Sequence, residues 1–274
     1  IVNNVSPDTE NHYIPHAVQK QVFKPLSEEN VKNFREEYFN KDEGDEDKLI
    51  FFWNNRNARR KQSGSLIFWF NEFAEEVGPE NVCLLMHTDP NDPNGQDLEM
   101  IINDHKMLDR RIVISKDKVP SNILAEMYNM VDCTINISDA EGFGLATLES
   151  LSCGTPIIAT MTGGLQEQVT DGEEWFGIGL EPSSKAVIGS QQVPYIYEDR
   201  VSKEDFISAL HEIYNMSKEE RKELGKKGIE HVRKNYNFED FQTKWVELMD
   251  GIYERHGSWD SRKGYKSWGI KEIA

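Results

Sequence analysis

Short apolar runs alternate with amphipathic stretches along most of this chain. The apolar runs predict buried strands at residues 49–53, 82–86, 111–115, 131–137 and 156–160. Stretches with apolar residues at helical spacing lie between them, at residues 65–77, 96–105 and 120–130. Such alternation is typical of a parallel sheet with helices on both faces. We therefore expect an α/β fold with a Rossmann-like, doubly wound parallel sheet.

Helical patterns flank this alternating region on both sides. Residues 27–39 predict a helix that Ser27 caps, and the chain after Ser202 predicts three C-terminal helices at residues 203–214, 218–236 and 238–253. The expected organisation is a linker at residues 1–26, a Rossmann-like domain at 27–256 and a tail at 257–274. The tail carries Trp259, Tyr265 and Trp268, which we expect to dock against another surface.

The charge and cysteine content narrow the class of protein. The chain has 274 residues and a net charge of −17, from 48 acidic residues and 31 Lys and Arg. This acidity disfavours nucleic acid and anionic membranes as partners. No apolar stretch approaches the roughly 18 residues of a membrane span, and Cys83, Cys133 and Cys153 lie in apolar runs without metal spacing. We expect buried, reduced cysteines, a cytoplasmic location and no transmembrane segment.

The segment 138–169 carries the most specific chemistry. Glu141 and Glu149 bracket the turn Gly142, Phe143 and Gly144, which lies between a predicted strand and a helix. A strand, a glycine turn and a helix N-terminus present backbone N–H groups to an anion. The two carboxylates add acceptors for hydroxyl groups. A ligand with both phosphate and many hydroxyls is a nucleotide sugar.

A basic segment follows the first predicted strand. Residues 54–61 (NNRNARRK) hold four cations in an otherwise acidic chain. Ligands of open α/β sheets bind outside the carboxyl ends of the strands, so Arg56 and Lys61 are placed to meet a diphosphate. Cations there would offset charge on a leaving nucleoside diphosphate. We expect Arg59 and Arg60 to be surface residues.

These motifs resemble those of one enzyme family. The run EGFGLATLE at residues 141–149 is similar to the E-x7-E signature of the GT-B retaining glycosyltransferases of family four, also called glycosyl transferases group 1. The spacing of Arg56 and Lys61 resembles that family's phosphate clamp. Residues 13–18 (YIPHAV) and 126–138 also resemble family stretches in the same order. The resemblance covers about residues 12–250.

The resemblance implies roles for individual residues. Glu141 would bind hydroxyls of the donor sugar, and Glu149 the ribose diol. The turn would hold the sugar and phosphate through the backbone of Gly142, Phe143, Gly144 and Leu145. Arg56 and Lys61 would clamp the diphosphate. The nucleobase would lie near Ile114 and Ser115, and Gly163 and Gly164 would line the cleft.

The resemblance also implies an activity. The parent enzyme would move a sugar from a nucleoside-diphosphate sugar to an acceptor hydroxyl with retention, without a metal or other cofactor. Only the C-terminal, donor-binding half of a GT-B fold is recognised, so an N-terminal GT-B domain is expected as a partner. The acceptor, the sugar and the base stay open. The alternative is a non-catalytic nucleotide-binding or interaction module of the same fold. Asn55 and Gln62 depart from the family's glycines beside the clamp.

Overall fold

The computed structural model describes residues 4, 6–39, 48–107, 109–261 and 263. Residues 40–47, and Tyr265 and Trp268 of the tail, lie outside the described residues. The chain divides into two compact units, Val18–Asn235 and a second made of Ile1–Ala17 with Tyr236–Ala274. The last helix therefore groups with the N-terminal segment, whereas the sequence places residues 27–256 in one domain.

A six-stranded parallel sheet forms the centre of the larger unit. Its strands are β1 Leu49–Asn54, β2 Val82–His87, β3 Ile112–Ser115, β4 Cys133–Asn136, β5 Ile157–Thr160 and β6 Ile178–Leu180. Their spatial order is β3-β2-β1-β4-β5-β6. The order reverses between β1 and β4, which is the arrangement of a doubly wound fold. The predicted fold class is confirmed.

Helices connect the strands. They are α1 Glu28–Tyr38, α2 Ser63–Val77, α3 Leu98–Asp104, α4 Ser121–Met130, α5 Leu145–Cys153, α6 Gln166–Val169, α7 Lys203–Asn215 and α8 Lys218–Asn235. The smaller unit contains α9, Phe238–His256. The Ser27 side chain accepts a hydrogen bond from the backbone of Asn30 and caps α1, as predicted. In the ranges that the structure describes, no helix is long and apolar enough to cross a membrane.

The core lies on both faces of the sheet. Phe51 of β1 packs edge-on against Phe70 and Phe73 of α2, and on the other face Phe52 packs against Tyr128 of α4. All of these side chains are fully buried. A strand covered on both faces needs a continuous apolar run rather than alternation, which explains the sequence of β1. The three cysteines are buried and free, as expected.

An antiparallel hairpin after β6 is absent from the sequence prediction. Its strands are β7 Ser184–Val187 and β8 Tyr197–Arg200. Lys185 lies opposite Asp199, and Val187 lies opposite Tyr197. Both strands are short and mostly polar or exposed, so they lack the apolar pattern that revealed the parallel strands.

Candidate functional site

The candidate site lies where the strand order reverses. β1 and β4 are neighbours in the sheet, and each is followed by a segment rich in charge. The 3₁₀ turn Arg59–Lys61, here called the clamp turn, follows β1. Residues 138–144, here called the site loop, follow β4. A crevice at such a reversal is where open α/β sheets bind their ligands.

Glycines shape the site loop. Gly144 has φ of 89° and forms the N-cap of α5, a left-handed conformation that glycine adopts without a Cβ penalty. A Cβ on Gly163 would lie 1.7 Å from the carbonyl oxygen of Glu141. Among the described residues no side chain caps the N-terminus of α5. The first turn of α5 is therefore available to an anion.

Lys61 and Glu141 form an ion pair between the clamp turn and the site loop. Lys61 is only 6% exposed, and this burial lowers the pKa of its ammonium, although the hydrogen bond to Glu141 opposes the shift. Arg60 lies 3.7 Å from Glu141 and donates a hydrogen bond of 2.7 Å to the carbonyl oxygen of Ala140. The structure thus brings two predicted site residues into direct contact.

Glu149 lies on α5, and its environment is partly apolar. It accepts a hydrogen bond of 3.1 Å from the Tyr128 hydroxyl, which itself accepts one of 2.8 Å from Asn54 Nδ2. Burial raises the pKa of Glu149 to about 7, even though the Tyr128 hydrogen bond works in the opposite direction. Asn54 and Tyr128 are supporting residues that the sequence did not single out for this role.

Arg56 and the predicted nucleobase residues lie apart from this cluster. Arg56 donates two hydrogen bonds, of 2.6 and 3.2 Å, to the carboxylate of Asp92, and its side chain is 64% exposed. Ile114 and Ser115 end β3, which is separated from β1 by β2. The Ser115 hydroxyl lies 3.0 Å from His87 Nδ1. In the described part of the chain, neither Arg56 nor Ser115 forms a hydrogen bond or ion pair with Glu141 or Glu149.

Arg59 has a partner that the sequence did not reveal. Its guanidinium donates hydrogen bonds of 3.0 and 2.6 Å to the two carboxylate oxygens of Glu198 in β8. The side chain of Arg59 is 58% exposed, as expected for a surface residue, but Glu198 is 4% exposed. The two residues are 139 positions apart, a separation at which sequence spacing carries no signal.

Buried polar atoms gather at the same edge of the sheet. Within the described residues, five buried side-chain atoms near the carboxyl ends of β1, β2, β4 and β5 have no hydrogen-bond partner: Trp53 Nε1, Asn55 Nδ2, Thr88 Oγ1, Asn136 Nδ2 and Thr160 Oγ1. Such groups cost free energy when they stay unpaired. A polar ligand at this edge could supply partners for them.

The fold and the site define a doubly wound α/β domain with a charged cluster where the strand order reverses. Comparison with known families identifies the protein family: the sequence model of "Glycosyl transferases group 1" matches residues 34–231. This match covers most of the chain. The protein belongs to the glycosyl transferases group 1 family.

Individual relatives agree with this assignment. D-inositol 3-phosphate glycosyltransferase of Thermomonospora curvata is 43% identical over 70 residues, which are 25% of this chain and 16% of the relative. Sucrose-phosphate synthase from Thermosynechococcus elongatus superimposes with a TM-score of 0.69 at 21% identity, covering 92% of this chain and 55% of that one.

A further solved structure is HepE of Anabaena in complex with UDP-glucose. It has a TM-score of 0.66 at 13% identity and is matched over 86% of this chain and 56% of its own. At these identities the two solved structures show a shared fold. The chain spans about half the length of each of them.

Proposed function

We propose that this chain is the donor-binding part of a retaining glycosyltransferase. The enzyme would move a sugar from a nucleoside-diphosphate sugar to an acceptor hydroxyl, without a metal. Family membership and the location of the charged cluster at the β1–β4 reversal support the proposal. The complex of HepE with UDP-glucose shows that this fold accommodates such a donor in another protein. An N-terminal GT-B domain would supply the acceptor side.

The ion pair of Lys61 and Glu141 suggests how a donor would enter. Lys61 would transfer its interaction to the diphosphate, while Glu141 would accept hydrogen bonds from sugar hydroxyls. Each charge exchanges one partner for another, so neither is left buried and unpaired. In the transition state Lys61 and the N-terminus of α5 would stabilise the charge that develops on the leaving diphosphate.

Glu149 would recognise the nucleoside. A carboxylate whose pKa burial raises to about 7 destabilises the folded chain, so a ligand that hydrogen-bonds to it gives a physical reason for its presence. The ribose diol can donate two hydrogen bonds to one carboxylate. Phe143, Gly144 and Leu145 would offer backbone N–H groups to the phosphate, and Arg56 would leave Asp92 to join the clamp.

The observation that carries the proposal is the ion pair of Lys61 and Glu141 in the loop that leads into α5, the helix that carries Glu149. We would titrate the chain by calorimetry with UDP, GDP and ADP. Saturable binding of one of them is expected, and Glu149→Ala should weaken it at least about tenfold, because charge-assisted hydrogen bonds contribute about 1.5–3 kcal/mol.

The matched control is Glu219→Ala, which removes an exposed carboxylate from the first turn of α8. This variant should bind the nucleotide as the wild-type chain does. Unchanged affinity of Glu149→Ala would remove Glu149 from the site. Failure of all three nucleotides to bind would contradict the donor-binding role of this chain.

A second function is nucleotide binding without sugar transfer, since the buried polar atoms that have no partner among the described residues would serve a bound ligand whether or not it reacts. The two functions separate in a donor-hydrolysis assay with UDP-glucose. Release of UDP by the chain supports transferase chemistry, whereas binding without release supports the module. The free, buried cysteines support a reducing, cytoplasmic setting for either function.

A further inference from the structure

The β7–β8 hairpin is attached to the candidate site through charged side chains of β8. Glu198 accepts two hydrogen bonds from Arg59 of the clamp turn and one of 3.0 Å from Arg200. Glu198 is 4% exposed, and its hydrogen bonds with Arg59 are the main reason that its pKa is lowered. A bidentate arginine–carboxylate pair with a buried carboxylate fixes geometry as well as charge.

Asp139 of the site loop joins the same network. It is 3% exposed and forms an ion pair of 2.5 Å with Arg200. Its carboxylate also accepts a hydrogen bond of 2.7 Å from Gln62, which follows the clamp turn. Burial raises the pKa of Asp139, while Gln62 and Arg200 oppose this shift. These two partners therefore offset part of the cost of burying the Asp139 carboxylate.

Backbone hydrogen bonds connect the same segments. The N–H of Asp139 donates to the carbonyl of Arg60, and the N–H of Asp199 in β8 donates to the carbonyl of Asp139, both at 2.8 Å. The Asp199 side chain accepts a hydrogen bond of 2.7 Å from Thr162, which directly precedes Gly163. The site loop is thus held between the clamp turn on one side and β8 on the other.

We propose that Glu198 and Arg200 are positioning residues for the diphosphate, because they brace the clamp turn and the site loop against β8. Arg59, Arg200, Asp139 and Glu198 carry two positive and two negative charges, which cancel. The network therefore does not attract an anion by net charge; it fixes the backbone on which Lys61 and Glu141 stand. This inference rests on the proposed function of the site.

The test compares Glu198→Gln with Glu72→Gln. The first keeps the size of the side chain but removes the charge that holds Arg59 and Arg200. The control removes an ion pair of 2.8 Å with Lys203, away from the clamp turn. Two measurements are made on each chain: hydrogen exchange of the peptides that contain residues 57–62 and 138–144, and calorimetric affinity for UDP, GDP and ADP and for their parent nucleosides.

We expect Glu198→Gln to speed exchange in both peptides and to weaken the bound nucleoside diphosphate about 5- to 20-fold, with the nucleoside unaffected. Glu72→Gln should change neither quantity. A merely structural role would weaken diphosphate and nucleoside equally. Equal losses, or unchanged diphosphate affinity, would overturn the positioning role.

The exchange measurement separates this inference from the proposed function. If wild-type chain binds none of the nucleotides, the proposed function fails and the positioning role fails with it, whatever the exchange shows. If the wild-type chain binds a nucleotide but Glu198→Gln leaves the hydrogen exchange of both peptides unchanged, Glu198 does not hold the clamp turn and the site loop against β8. The proposed function stands in that case.

Discussion

The two ends of β4 both carry acidic residues, but the chain uses them differently. At the amino end, Asp132 lies 3.4 Å from both Arg35 and Arg221 and accepts a hydrogen bond of 2.9 Å from the backbone N–H of Ile50. Arg35 also donates to the carbonyl oxygens of Met130 and Lys48. These charges therefore satisfy backbone groups at the start of the strands.

At the carboxyl end, charged side chains pair mainly with other side chains. Glu141 pairs with Lys61, and Asp139 pairs with Arg200. Buried Asn136 and Thr160 each keep a polar atom that has no partner among the described residues. The half-buried Glu149 carboxylate accepts a hydrogen bond from the neutral Tyr128 hydroxyl. At the amino end, charges mainly hold backbone groups, which favours stability, although Arg35 Nε also lacks a partner among the described residues. At the carboxyl end, charged pairs and unpaired polar atoms gather at the edge where we propose that the donor binds.

Removing the acid at the amino end should have the largest effect on folding. Asp132→Ala leaves Arg35 and Arg221 without this carboxylate and takes the acceptor from the Ile50 N–H. We expect a loss of about 2–4 kcal/mol in the free energy of unfolding, measured by urea denaturation. Nucleotide affinity of the folded chain should not change.

Asp132→Asn serves as the control, because the amide oxygen can still accept from Ile50 while the charge is lost. Its destabilisation should be intermediate. The comparison between the two ends fails if Asp132→Ala weakens nucleotide binding and leaves stability intact.

Neutralising Glu149 should raise the free energy of unfolding, whereas Asp132→Ala should lower it. Because burial raises its pKa to about 7, ionisation of Glu149 penalises the folded chain increasingly from its unfolded pKa of about 4.5 up to about pH 7. We therefore expect Glu149→Gln to stabilise the ligand-free chain by up to about 3 kcal/mol at about pH 8. The gain should shrink as the pH falls below 7.

Urea denaturation across this pH range measures the effect, and nucleotide affinity of Glu149→Gln should fall at the same time. Stability and binding would then trade against each other at one residue. If Glu149→Gln instead destabilises the chain at about pH 8 and leaves nucleotide binding intact, Glu149 stabilises the fold, as Asp132 does, and does not bind the ligand.

Replacing the two predicted clamp cations should lower diphosphate affinity by different amounts, and the change at Arg56 should be the smallest effect of all. Lys61→Met removes a buried charge next to Glu141, so we expect diphosphate affinity to fall by about 1.5–3 kcal/mol. Arg56→Met removes an exposed charge that Asp92 already holds, and should cost under about 1 kcal/mol. Calorimetry with diphosphate and nucleoside checks both. A loss from Arg56→Met as large as that from Lys61→Met would contradict the smaller share that solvent exposure gives Arg56 in the clamp.

Much of the larger unit follows from local patterns. The apolar run 49–53 became β1, and the helix predicted at residues 65–77 is α2, Ser63–Val77. Ser217 accepts from the backbone N–H of Glu220, while the Glu220 carboxylate accepts from the Ser217 N–H, which is the capping arrangement that opens α8. These features depend on residues close in sequence, so periodicity and capping chemistry suffice to predict them.

The candidate site could be predicted only in part. The spacing within residues 141–149 and 56–61 indicated a phosphate and sugar site, because those residues share one turn or one short segment. The support of Glu149 by Tyr128 and Asn54 could not be derived, since three separate elements meet there. The β7–β8 hairpin was missed because both of its strands are short and mostly polar or exposed, so they lack an apolar pattern.

The sequence by itself determined the α/β class, the elements of the parallel sheet and the chemistry of the glycine turn, because each depends on local spacing and backbone geometry. The tertiary structure alone decided that β1 and β4 lie side by side, that Lys61 meets Glu141, and that Glu198 holds Arg59. Those contacts depend on the order of strands in the sheet and on where a later hairpin packs, and residues far apart in sequence have no common period that would reveal them.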